Sequence, residues 1–162
     1  MTIKYLPEHV DNALYALHLA EREAAHLAYT HKTLFEQKID LEWVNGIACH
    51  ENVAEKIDAF VGRFGRLQDH IGEKLIPRFA QLMGEQPKSL LDVLSFAEKM
   101  QWLDSAEEFI GSRKLRDQLI HEYMTNPELF LEALLAADDA SQLLLETVTR
   151  IKKQSIQLGL VN

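Results

Sequence analysis

Asn126-Pro127-Glu128-Leu129-Phe130-Leu131-Glu132-Ala133-Leu134 reads as the opening of a long helix. Asn is a residue that caps a first turn with its side chain. Proline directly after it loses nothing, because the first helical N–H has no partner inside the helix. Downstream, Phe130, Leu134, Ala137, Leu144, Val148, Ile151 and Leu158 recur at multiples of three and four, which gives one apolar stripe. Working back, Ser105-Ala106-Glu107-Glu108 has the form of a capping box, Ser at the cap and Glu three residues on. It starts a helix that ends near Met124.

The same periodicity extends to the N-terminus. A first helix is expected to start near Pro7, carry its stripe on Leu6, Val10, Ala13, Leu17, Ala20, Ala24 and Leu27, and reach about Gln37. Asp40 to Glu51, with Asn45-Gly46 inside it, reads as a break or a short irregular helix. A second long helix follows from about Asn52 to Met83. Gly62, Gly65 and Gly72 let one of its sides approach a neighbour closely, and Pro77 is expected to kink or end it. Gly84-Glu85-Gln86-Pro87 is a connector, and a short helix runs from Ser89 to Trp102. No strand-like alternation persists, and no internal repeat or low-complexity tract occurs. The reading is a single all-α domain over residues 1–162, an antiparallel bundle of about five helices joined by short turns.

Composition narrows the function classes. The 162 residues carry a formal charge of −8 and one cysteine, Cys49. A lone cysteine excludes an internal disulfide and argues against a thiolate metal site. Apolar runs fall well short of the roughly 20 residues of a spanning helix, and MTIKYLPEHVDN lacks the pattern of a signal peptide. The expectation is a soluble cytoplasmic protein with no membrane association. The acidic balance opposes tight non-specific nucleic-acid binding, so any RNA site has to be a local basic patch. Acidic residues outnumber basic ones about two to one before residue 61, whereas Val61 to Tyr123 is nearly balanced.

The stretch that carries chemistry is Ser112-Arg113-Lys114-Leu115-Arg116-Asp117-Gln118-Leu119-Ile120-His121-Glu122-Tyr123. On a wheel of 100° per residue, Phe109, Leu115, Leu119, Ile120 and Tyr123 share one arc, with Arg116 in its middle. Asp117 and His121 sit together on the flank, and Glu107, Lys114, Gln118 and Glu122 face away. An unpaired charge within an apolar arc is unfavourable. Arg116 therefore has two readings: a salt bridge to a carboxylate of another helix, or a cleft where its planar fork meets phosphate. His121 is either a surface or helix-end residue or a proton carrier. A histidine's ordinary pKa of about 6.5 suits acid–base work near neutrality, and Asp117 lies one turn back to orient the ring.

Arg116-x-x-x-x-His121-x-Tyr123 resembles the R-x4-H-x-Y signature of HepT-type toxins in the HEPN superfamily. A polar residue directly after the arginine, here Asp117, fits that pattern. So do Ser105-Ala106-Glu107-Glu108 before the motif, Pro127-Glu128 after it, and the upstream run Arg63-Phe64-Gly65-Arg66-Leu67-Gln68-Asp69. The resemblance covers roughly residues 55 to 150 and leaves the long acidic first helix unanchored.

It implies a HEPN-like four-helix core and a metal-independent, cofactor-free endoribonuclease acting at a homodimer cleft. In that scheme His121 moves a proton of the ribose 2′-hydroxyl, Arg116 stabilises charge on the phosphoryl oxygens, and Asp117 holds His121 or the hydroxyl. It further implies a nucleotidyltransferase antitoxin as partner, with Tyr123 as the acceptor of AMP. The residue-level alternative for Tyr123 is a ring that closes the helix end over the core.

Arg63, Arg66, His70, Lys74 and Arg78 fall within about 120° on the second long helix. They form either a face paired with the acidic first helix or a lining for RNA; Arg63, Arg66, His70 and Lys74 are the candidate RNA contacts. A carboxylate di-metal bundle needs Glu-x-x-His on two helices, and only Glu23-Ala24-Ala25-His26 has that spacing. No metal site is expected. The rival to the enzyme is a non-catalytic HEPN module that serves as partner or substrate-binding subunit of a nucleotidyltransferase.

Overall fold

The computed structural model describes residues 4–162; the first three residues of the N-terminal stretch lie outside it. The chain is all-α, without a strand among the described residues. A 3-10 turn, Pro7–His9, leads into α1 (Val10–Phe35). Ala13, Leu17, Ala20 and Leu27 of the expected stripe are buried, while Leu6 remains 39 % exposed. The break after α1 holds α2 (Leu41–Asn45), capped by Asp40, whose Oδ1 accepts from the Trp43 N–H at 2.9 Å. A second 3-10 turn, Ile47–Cys49, follows.

The second long helix is a single rod in three parts: α3 (Glu51–His70), a π-helical segment Ile71–Leu75, and α4 (Ile76–Leu82). Pro77 does not end it. A proline inside a helix loses one bond and crowds the carbonyl four residues back. The wider π turn just before Pro77 gives that carbonyl room, and the chain continues to Leu82. Gly84, with φ of +90°, then turns the backbone into the connector.

α5 (Leu90–Lys99) is capped by Ser89 and stops short of the expected Trp102. Gln101 takes a positive φ of 65°, and Trp102 and Leu103 fold back into the core. α6 (Ala106–Glu122) begins at Ser105, whose Oγ accepts from the Glu108 N–H at 3.2 Å. Glu98 of α5 satisfies a further donor of the first turn, accepting from the Ala106 N–H at 2.9 Å. α7 (Pro127–Gln157) is capped by Asn126 and ends before Gly159 at φ +75°.

The core is a four-helix arrangement of α1, α3, α6 and α7, with α1 laid mainly on α3 and α7, and α6 on α7 and α3. Phe60, Phe64, Phe79, Phe109 and Phe130 are fully buried at its centre. Each large buried side chain contributes about 1.5–3 kcal/mol relative to exposure, so these phenylalanines outweigh the surface ion pairs. His31–Asp138 (2.7 Å) and Lys152–Glu21 (3.1 Å) join α1 to α7 at the edge. No helix among the described residues is long and apolar enough to cross a membrane.

Candidate functional site

The site is built where α6 crosses α3. Gly65 and Asp69 are one turn apart on α3, and the Arg116 side chain lies across both. A Cβ built on Gly65 would stand 2.9 Å from Arg116 Nε and 3.4 Å from its Cγ. The guanidinium then meets Asp69 with both nitrogens: Nη1 donates to Oδ1 and Nη2 reaches Oδ2, each at 3.3 Å. Arg116 is 37 % exposed and Asp69 33 %, so this fork-to-fork pair sits at the rim of the groove. A pair so exposed is worth at most about 1 kcal/mol to stability. It fixes direction, because a bidentate fork permits one orientation.

The buried arc of α6 differs from the wheel. Phe109, Ser112, Leu115 and Leu119 are buried, while Ile120 is 56 % exposed and Met124 80 %. Arg116 is consequently a boundary residue, with one side on α3 and the other in solvent. The arc is turned because α3 and α7 both press on the Ser112–Leu119 side, where the Ser112 hydroxyl is satisfied by the Phe109 carbonyl at 2.6 Å.

Asp117 and His121 are both exposed on α6, and no hydrogen bond joins them. The His121 carbonyl accepts from the Thr125 hydroxyl at 2.9 Å, which secures the helix end next to the ring. Arg116 and His121 are five residues apart, about 7.5 Å along the axis and about 140° around it. Within one chain they straddle α6.

Tyr123 caps the C-terminal end of α6 and packs on Phe130, ring centroids 5.2 Å apart. Its hydroxyl is pushed above the usual phenol value of 10.0 by burial first, then by the negative charges of Asp58 and Glu51. The phenol is therefore held in its neutral form, half covered.

The basic stripe of α3 and its continuation is brought mostly against α1. Arg63 donates to the Thr30 hydroxyl and the His26 carbonyl, Arg66 pairs with Glu23 at 3.4 Å, and His70 Nε2 lies 2.7 Å from the Ala16 carbonyl. Arg78 donates to the Asn12 carbonyl at 3.3 Å. Of the four candidate RNA contacts, Lys74 is exposed, and the Arg66 side chain stays 59 % exposed despite its partner. Arg66, Asp69, His70 and Lys74 line a shallow hollow with Arg22 and His26 of α1. The hollow adjoins the Arg116 crossing through Asp69, which serves both.

Glu23 is committed to Arg66, and no cluster of three His, Cys, Asp or Glu side chains suited to a metal occurs among the described residues. The residue that sequence reasoning missed is Asp69 as the partner of Arg116; its signal was the Gly65-x-x-x-Asp69 spacing, one helical turn, inside the run already singled out. No protein-family model, curated protein or solved structure matches the chain.

Proposed function

We propose that the chain is a metal-independent endoribonuclease of the HepT/HEPN kind, working as a homodimer whose cleft joins two copies of α6. The observation that carries this reading is the Arg116 crossing: a guanidinium aimed by Asp69, seated on Gly65 and left open to solvent on one side. His121 accepts the proton of a ribose 2′-hydroxyl, and the resulting alkoxide attacks the adjacent phosphorus. The P–O5′ bond breaks, the leaving oxygen takes the proton back from the His121 imidazolium, and the products are a 2′,3′-cyclic phosphate and a 5′-hydroxyl. Arg116 stabilises the negative charge that builds on the phosphoryl oxygens, and Asp117, which makes no hydrogen bond to His121 in the free chain, helps position the hydroxyl.

Because Arg116 and His121 straddle their helix, a facing second α6 supplies the missing member of each pair. The exposed Ile120 and Met124 beside His121 give that contact an apolar surface. A nucleotidyltransferase partner would transfer AMP to Tyr123 and close the cleft.

Mixing two inactive variants tests the arrangement. Arg116→Ala and His121→Ala homodimers are each expected to lose cleavage. Subunit exchange between them regenerates one complete site per mixed dimer if Arg116 and His121 act across the interface. Absence of recovered activity in verified mixed dimers rejects the composite cleft.

The second reading, a non-catalytic module that presents its surface to a nucleotidyltransferase, is favoured by one observation. The Arg116 guanidinium already has a carboxylate partner in Asp69.

A further inference from the structure

On another side of α6, the groove between α6 and α7 encloses a cavity of about 560 Å3. Its floor is apolar, formed by Trp102, Leu115, Ala140 and Leu143, and four carboxylates surround it, Asp104, Glu108, Asp139 and Glu146. Arg150 is the one cation of the lining, and it is already engaged, 2.8 Å from Asp104 and 2.7 Å from Glu146. Four carboxylates against one guanidinium leave the lining at −3.

One detail marks the groove as an unfilled surface: Gly111, on the α6 wall, is exposed, and a Cβ there would meet nothing within 4 Å. Trp102 is 2 % exposed and forms the groove's closed floor.

We propose that this groove docks a basic amphipathic helix of a partner protein, its apolar stripe along Ala140 and Leu143 above the buried Trp102 and Leu115, and its Lys or Arg side chains toward Glu108 and Asp139, the two carboxylates that Arg150 leaves unpaired. Charge complementarity selects that occupant. Nucleic acid is repelled by the lining, and a second copy of this chain carries −8 with its basic stripe largely spent on α1. The lining spans Glu108 to Gln118 on α6 and Ala136 to Arg150 on α7, about 15 and 21 Å of helix. That length accepts three to four turns. A helix is favoured over an extended peptide because two helices flank the groove and no sheet edge is present to extend. None of Arg116, His121 and Tyr123 lines it, so the inference stands apart from RNA cleavage.

The test uses full-length protein with Trp43→Phe, which leaves Trp102 as the only tryptophan. The probe is the synthetic helix acetyl-LKKLLKLLKKLLKL-amide, titrated by Trp102 fluorescence, beside its counterpart with every Lys replaced by Glu. Binding at micromolar affinity is expected for the basic peptide alone. Gly111→Phe, which fills open space, and Glu108→Gln/Asp139→Asn are each expected to weaken it at least about tenfold, with helical circular dichroism retained. Glu36→Gln/Glu85→Gln removes the same charge outside the groove and is expected to leave affinity unchanged. Equal affinity in groove and control variants overturns the proposal, as does the absence of binding at millimolar peptide. A wild-type dimer that Gly111→Phe converts to monomer also overturns it, by assigning the groove to a second copy.

Discussion

Arg116 is held by an absence. Its side chain rests on Gly65, where a Cβ would lie 2.9 Å from Nε, and this close seat brings its guanidinium onto Asp69. Any larger residue at Gly65 lifts the middle of the arginine side chain, not its flexible tip. Gly65→Ala is therefore expected to lower RNA cleavage at least about tenfold. Thermal stability should change little, since the helix propensity of Ala, up to about 1 kcal/mol better than Gly, offsets the crowding. Full activity in this variant would mean that the Arg116 position is not used.

Asp69→Asn separates aiming from folding. The pair is at the rim, so its loss should cost no more than about 1 kcal/mol in denaturant unfolding. Cleavage should fall while binding of a non-cleavable RNA holds, because Arg116 keeps its charge but loses its direction. A large stability loss with unchanged cleavage would instead assign Arg116–Asp69 to structure.

How much of this was legible in the sequence depends on what each residue answers to. Capping at Ser105 and Asn126 and the stripes of α1 and α7 are local or periodic properties, and they appear in the structure where the residues put them. The extent of the second long helix, about Asn52 to Met83, was legible; the π turn Ile71–Leu75 that lets it pass Pro77 was not, because it goes with the packing of Ile71 and Leu75 in the core. Ile120 was misplaced for a related reason. A wheel ranks residues by angle, but which angle is covered depends on where α3 and α7 lie. The Arg116–Asp69 pair is a contact between helices and required the fold. The basic stripe was visible, and what required the fold was which of its members α1 engages: Arg63, Arg66, His70 and Arg78.

That stripe divides into two kinds of residue. Arg63 supports the buried Thr30 hydroxyl on α1, so Arg63→Ala is expected to cost about 1 kcal/mol of stability. Lys74→Glu with Arg66→Glu changes charges that remain exposed. That pair is expected to weaken RNA cleavage and its salt dependence with little loss of helical signal. Unchanged cleavage would remove the hollow between α1 and α3 from the RNA path.

Tyr123 gives a pH-dependent signature. Its folded pKa lies above the unfolded value of 10.0, so the folded state holds this proton more tightly. The associated stability is present below about pH 10 and is lost as pH rises past it, where the unfolded phenol ionises and the folded one does not. Denaturation curves from pH 9 upward should show a steeper alkaline decline for wild type than for Tyr123→Phe. Identical slopes would place the Tyr123 hydroxyl in open solvent.

RNA cleavage by His121 without a metal ion is directly measurable. Purified protein, with Tyr123 verified unmodified by mass, is incubated with labelled total RNA in EDTA beside His121→Ala. Fragments ending in 2′,3′-cyclic phosphate and 5′-hydroxyl are expected from the wild type alone. Intact RNA in both samples, or equal cleavage by both, would contradict it.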